Sequence, residues 1–207
     1  CVLLGRTTKT TLRSPKLGYL AVVECIFIGL LAGFTWFQIS PSEQKVLDTA
    51  GFLFFSVSFW FFSSLFDGVL EFLPEREVLL KDQKSGAYRI TSYFLARSVG
   101  GFPSRILMPA VFAAISYPLA FSYSEYANID GFGTWMGILA ILVLTALSGE
   151  ATGVLIGTLF VQLNVCVTVS TIIALSMTIF GGFYVQDLPF FIEPLKYLSV
   201  LKYAYDA

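Results

Sequence analysis

The chain has 207 residues, 56% hydrophobic and only 13% charged, with a formal net charge of −1. A soluble domain carries about twice that charge, so the composition is that of a membrane protein, and the near-neutral balance leaves no basic surface for nucleic acid. Histidine is absent, which removes the commonest metal ligand and the commonest general base.

Residues 1–16 carry Arg6, Lys9, Arg13 and Lys16 and no acid. That spacing puts the cations on one helical stripe and predicts a basic helix reaching the bilayer from its cytoplasmic side. The alternative is a disordered basic leader. The chain opens on Cys1 without the pattern of a signal peptide, so the expectation is a piece of a longer protein. A first span is predicted over 17–39, close to the roughly 20 residues that cross a hydrocarbon core. Glu24 falls inside it. A carboxylate at that depth is costly and is expected to face protein, a cavity or the interface, or to pair with a nearby cation.

After a polar loop at 40–48, a second span is predicted over 49–73. It is crowded with aromatics, among them Phe52, Phe54, Phe55, Phe59, Trp60, Phe61, Phe62 and Phe66. Most should pack against lipid and neighbouring helices. The charged stretch 74–97 follows, with Arg76, Lys81, Lys84, Arg89 and Arg97 set against Glu75, Glu77 and Asp82. Glu77 and Lys81 stand four apart in the acid-first order that favours a helix, and Ser85-Gly86 should end it. The expectation is a short amphipathic helix, a Gly hinge and the start of a new spanning helix. The charged stretch is either a docking element or a solvated loop.

A third span is expected over 92–121, kinked by Pro103, Pro109 and Pro118, with Arg97 and Arg105 in the headgroup zone or in a charged cluster below it. The fourth, 133–160, contains Glu150 among Ser148, Gly149, Ala151, Gly153 and Gly157, small residues that permit close helix approach. Glu150 is either functional or a structural hydrogen-bonding group for a neighbouring helix. After a very short turn, a fifth span is expected over 165–183, rich in Ser and Thr, whose hydroxyls bond back to the helix and so are tolerated in lipid. The tail beyond Gly182 is apolar but broken by prolines and charges, and reads as re-entrant or surface-lying short helices.

Lys and Arg distribution sets the orientation. One side holds Arg6, Lys9, Arg13, Lys16, Arg76, Lys81, Lys84, Arg89, Arg97 and Arg105, and the other Lys45, Lys196 and Lys202. The amino terminus and the 74–97 segment are therefore expected in the cytoplasm. Cys25 and Cys166 lie in apolar runs and read as small buried hydrophobes. No phosphate-binding loop, dinucleotide fingerprint, metalloprotease motif or nucleophile elbow occurs. The chain itself therefore reads as non-enzymatic, with no catalytic or metal site and no cofactor of its own.

In the charged stretch, Glu75, Arg76, Ser85, Gly86, Tyr88, Arg89, Ser92, Tyr93, Phe94, Leu95, Ala96 and Arg97 form the pattern E-R…S-G-x-Y-R-x-x-S-Y-F-L-A-R. With Pro103, the Arg105…Pro109 spacing and the F-G-G-F-Y-V run at 180–185, the chain resembles the membrane domain of G-subfamily ABC transporters of the White/breast-cancer-resistance type. The resemblance covers nearly the whole chain. It implies an all-α polytopic bundle, a type V exporter membrane domain with about five of six spans and a re-entrant outer loop beginning at 186–207. Residues 1–16 would end a connecting helix from a nucleotide-binding domain of the same polypeptide, which would bind ATP and Mg. Residues 75–84 would be the coupling helix, with Glu75, Arg76, Asp82, Arg89 and Arg97 meeting the ATPase side. Phe62, Thr171, Leu175 and Thr178 would face a substrate cavity between two subunits of a homo- or heterodimer, and Phe183 and Tyr184 would plug it. The absence of Cys after Cys166 departs from animal members and puts their outer-loop disulfides in doubt.

The function so implied is ATP-driven export of apolar or amphipathic solutes, lipid, sterol or xenobiotic, from the cytoplasmic leaflet. The alternatives are a non-transporting membrane scaffold, or a permease for lipid or polysaccharide served by a separate ATPase chain.

Overall fold

The computed structural model describes residues 15–37, 46–84, 90–121, 131–183, 197 and 199–206; side chains are described except at 15–18, 77, 80, 82–84, 90–97, 104, 131 and 206. Among the described residues six helices appear: α1 (Pro15–Thr35), α2 (Val46–Lys84), α3 (Ile90–Phe121), α4 (Gly131–Leu159), α5 (Leu163–Phe180) and α6 (Val200–Asp206). No strand occurs among the described residues. Among the described residues, four stretches are long and apolar enough to cross a membrane: Val46–Arg76, Ser98–Phe121, Phe132–Leu159 and Leu163–Phe180. A shorter apolar stretch, Tyr19–Thr35, lies in α1. The fold is a polytopic helical bundle, the form lipid demands of a chain that must satisfy its backbone hydrogen bonds within each segment.

One boundary differs in kind from the sequence expectation. The second span and the amphipathic helix are not separate, because α2 is a single 39-residue helix with Pro74 inside it. Proline there removes one donor, the one that would reach the Leu70 carbonyl. Strong helix formers on both sides let propagation continue across the missing bond. At 1.5 Å per residue α2 measures about 58 Å, nearly twice a ~30 Å hydrocarbon core. Its charged end therefore extends as continuous helix beyond the apolar part. α3 likewise runs through Pro103, Pro109 and Pro118. α1 closes at Thr35, short of the expected limit at 39, and residues 38–39 lie outside the described set.

Two glycine seams assemble the bundle. Gly149, Gly153 and Gly157 recur every fourth residue on α4 and press against α2. A Cβ on Gly149 would sit 2.5 Å from the Phe61 carbonyl oxygen, one on Gly68 2.8 Å from that of Glu150, and one on Gly153 would strike that of Leu65. Backbone touches backbone along this line, as close packing in lipid favours. The second seam joins α1 to α3. Gly29 faces Phe112 and Ile115, Gly33 faces Leu119, and the Cys25 thiol donates to the Met108 carbonyl at 3.3 Å.

Between the seams lies one aromatic-rich core. Phe52, Trp60, Phe61 and Leu65 of α2 meet Phe112 of α3, Leu142 and Ala146 of α4, and Leu201 of α6. A smaller cluster gathers Val69, Ile156 and Cys166 with Leu73, Val169 and Ile173, tying α2 to the end of α4 and the start of α5. Cys25 and Cys166 are both buried, as small hydrophobes should be. Helix hydroxyls bond one turn back, for example Ser56 to Phe52 and Ser116 to Phe112.

Candidate functional site

The charged end of α2 follows directly from the apolar bundle. Glu75 and Arg76 are half-buried there, while Val78 and Lys81 are exposed. Arg76 Nη1 donates to the Phe160 carbonyl at 3.5 Å, so this cation lies over the turn between α4 and α5. Arg89 lies outside the described residues, as do the side chains of Asp82 and Arg97.

Arg105 of α3 and Glu150 of α4 form an ion pair across the bundle, their side chains only 17% and 13% exposed. This places Arg105 against a neighbouring span in a group of charges, with Asp67 of α2 in electrostatic reach of both partners; the sequence offered a charged cluster as one of its two alternatives for this arginine. It also gives Glu150 a charged partner, which is how a carboxylate is tolerated at such a position. Gly101 makes room: a Cβ there would lie 2.7 Å from the Arg105 guanidinium, which folds back over this residue one turn earlier in α3. Glu24 behaves differently. It sits on an exposed face of α1, and no cation pairs with it among the described residues.

The residues expected at a solute cavity fall into two groups. Thr171 and Leu175 lie on a face of α5 that is exposed among the described residues, together with Thr168, Ile172 and Ile179. Leu175 is 58% exposed. Phe62 and Thr178 are half-buried, Phe62 at the rim of the core beside Phe61. The hydroxyls of Thr171 and Thr178 bond back to Val167 and Ala174, so the face they offer is only mildly polar.

Phe183 does not stand free. It stacks on Phe54 of α2 with centroids 4.9 Å apart, and it meets Tyr205 of α6 edge-on at 6.3 Å. Gly182 precedes it at φ +90°, a conformation that favours glycine, and Gly181 lies so near Phe54 that a Cβ would approach the ring to 2.8 Å. Tyr184 lies outside the described residues. Phe54 and Tyr205 were not singled out by sequence as partners of this ring. Phe54 was one of many aromatics in its span, and the aromatic-rich tail that holds α6 gave no sign of which ring would meet Phe183. α6 is fixed by buried Leu201 and by the Ser199 hydroxyl, which donates to the Met177 carbonyl at 3.0 Å.

A family profile described as ABC-2 type transporter matches residues 1–207. The chain belongs to the ABC-2 type transporter family. Similar proteins include ABC transporter G family member 21 of Arabidopsis thaliana, 31% identical over 99% of this chain and 29% of the relative. ABC transporter G family member 14 of the same plant is 32% identical over 99% of this chain and 30% of its own length. The ABC transporter ATP-binding protein/permease wht-1 of Caenorhabditis elegans is 25% identical over 99% and 30%. This ABC-2 domain thus spans about a third of the length of the curated relatives it matches, and as a member of that family with several long apolar helices it is a multi-pass integral membrane protein. Among the described residues of the ABC-2 domain, no three His, Cys, Asp or Glu side chains gather as metal ligands.

Proposed function

We propose that this ABC-2 domain is the membrane part of an ATP-driven exporter that moves apolar or amphipathic solutes, lipid, sterol or xenobiotic, out of the cytoplasmic leaflet. The observation that carries this reading is the continuity of α2 from the aromatic core into the charged stretch at 75–84. A rigid helix of that length is a lever, because it moves the core when its charged end is displaced. The displacing agent is a nucleotide-binding domain of the same polypeptide, which binds ATP and Mg and meets Glu75, Arg76, Asp82, Arg89 and Arg97. The printed name of the nematode relative, ATP-binding protein/permease, supports a motor of this kind. Residues 1–16 end the connecting helix from that domain, and the amino terminus is cytoplasmic. Residues 186–207 begin a re-entrant outer loop.

Two such subunits, alike or different, place their α5 faces and Phe62 around a shared cavity. The uncovered stripe with Thr171 and Leu175 supports this, since it is apolar with hydroxyls already satisfied. A solute would be held by burial and ring contacts rather than by directed hydrogen bonds, which gives broad selectivity. Phe183 and Tyr184 close the cavity outward. The test uses the full-length protein in proteoliposomes with a panel of labelled sterols, phospholipids and amphipathic drugs. Accumulation of at least one compound that requires ATP hydrolysis is expected; hydrolysis that no compound stimulates and that moves none would contradict the reading.

A further inference from the structure

The turn at 160–162 joins α4 to α5 with three residues, and two side-chain contacts converge on one of its atoms. The Phe160 carbonyl accepts from Arg76 Nη1 at 3.5 Å and from the Cys166 thiol at 3.4 Å. This carbonyl follows the last residue of α4, where a helix leaves acceptors without intrahelical donors and carries partial negative charge. A guanidinium is the side chain best suited to both needs. Each contact alone is long. They act with the small apolar cluster directly beneath, in which Val69 and Leu73 of α2 hold Ile156 of α4 and Cys166 of α5. Gly157 adds to this grip, because the Phe72 ring fills the space its Cβ would need, at 2.9 Å. Arg76 stands two residues beyond Pro74, where α2 passes from its spanning stretch into the charged extension.

We infer that Arg76 is a positioning residue that fastens the α4–α5 turn to the lever, so that displacement of the charged end of α2 reaches that turn directly. This deepens the transport reading and rests on it only for the use made of the motion. Arg76 then acts inside the membrane domain, on the backbone of its own chain, in addition to any contact with a motor. The helix it steers is α5, whose uncovered face carries Thr171 and Leu175.

The thiol of Cys166 reports on the fastening without reference to transport. Full-length protein in nanodiscs is treated with N-ethylmaleimide, and modification of Cys166 and of Cys25 is followed separately by peptide mass spectrometry. Both thiols are buried, Cys25 in the α1–α3 seam away from the turn. In Arg76→Ala, Cys166 should react about tenfold faster, the scale of one lost hydrogen bond to a charged group, with Cys25 unchanged. Arg76→Lys keeps a cationic donor and should restore slow labelling. Unchanged labelling of Cys166 in Arg76→Ala, or an equal acceleration at Cys25, overturns the inference. Solute transport by the same variants is the separate arm. If Cys166 responds and transport does not, the fastening stands and the transport reading is what fails.

Discussion

At the scale of single residues, the membrane leaves little room for an unpaired charge or a misplaced methyl. Glu150→Gln removes the carboxylate paired with Arg105 within the bundle and leaves it the weaker field of Asp67. The expected loss of stability is about 3 kcal/mol, largely recovered when Arg105→Gln is added, because two neutral groups do not carry the desolvation cost of one cation that has lost its paired carboxylate. Thermal unfolding of the purified single and double variants in detergent checks this. The glycine seam offers a second test. Gly153→Leu should abolish a monodisperse product, since its side chain would have to displace the Leu65 backbone. Gly137→Leu, on the same helix with nothing within 4 Å, should be tolerated. The seam was legible in sequence as a run of small residues around Glu150. The partner of Glu150 was not. Arg105 lies 45 positions away, and only the packing of α3 on α4 brings the two together.

At the scale of elements, spans were legible because a run of apolar residues long enough to cross lipid has few other uses. Sequence set the limit of the second span at 73 and began a charged helix at 75, yet α2 runs from Val46 to Lys84 through Pro74. Proline penalises an interior turn by about 3 kcal/mol, a cost that long helices with good formers on either side absorb. The continuity matters for function, since a jointed rod passes on less motion than a rigid one. Val78→Pro, at an exposed position of the extension, should leave nucleotide hydrolysis in the full-length protein while transport falls at least about tenfold, because a second proline one turn after Pro74 breaks the rod. Val78→Ala should be silent in both assays. The ring contacts of Phe183 were likewise invisible in sequence, because Phe54 and Tyr205 come from helices remote from it in the chain. Phe183→Ala should raise passive leak of a preloaded solute from proteoliposomes in the absence of ATP; an unchanged leak would argue against an outward plug.

For the whole molecule, the pattern of cover separates two apolar surfaces. The outer face of α1, with Tyr19, Phe27 and Phe34, is large, aromatic and exposed, as a lipid-facing surface is. The uncovered face of α5 is mixed, with Thr168 and Thr171 among its aliphatic residues. Two copies meeting through α5 should therefore form a covalent dimer when Leu175→Cys is oxidised in native membranes, whereas Phe27→Cys should remain monomeric on denaturing gels. Equal yields from both positions would point to random encounter in the bilayer.

For transport to be driven from outside the bilayer, motion must enter the bundle through the extension of α2. The most direct test reconstitutes the full-length protein and counts solute molecules moved per ATP hydrolysed, for the natural sequence and for the paired charge reversal Glu75→Lys with Arg89→Glu. Continued hydrolysis, intact membrane insertion and a transport-to-hydrolysis ratio close to zero are what the lever predicts. Transport at the natural ratio by the reversed protein would contradict it.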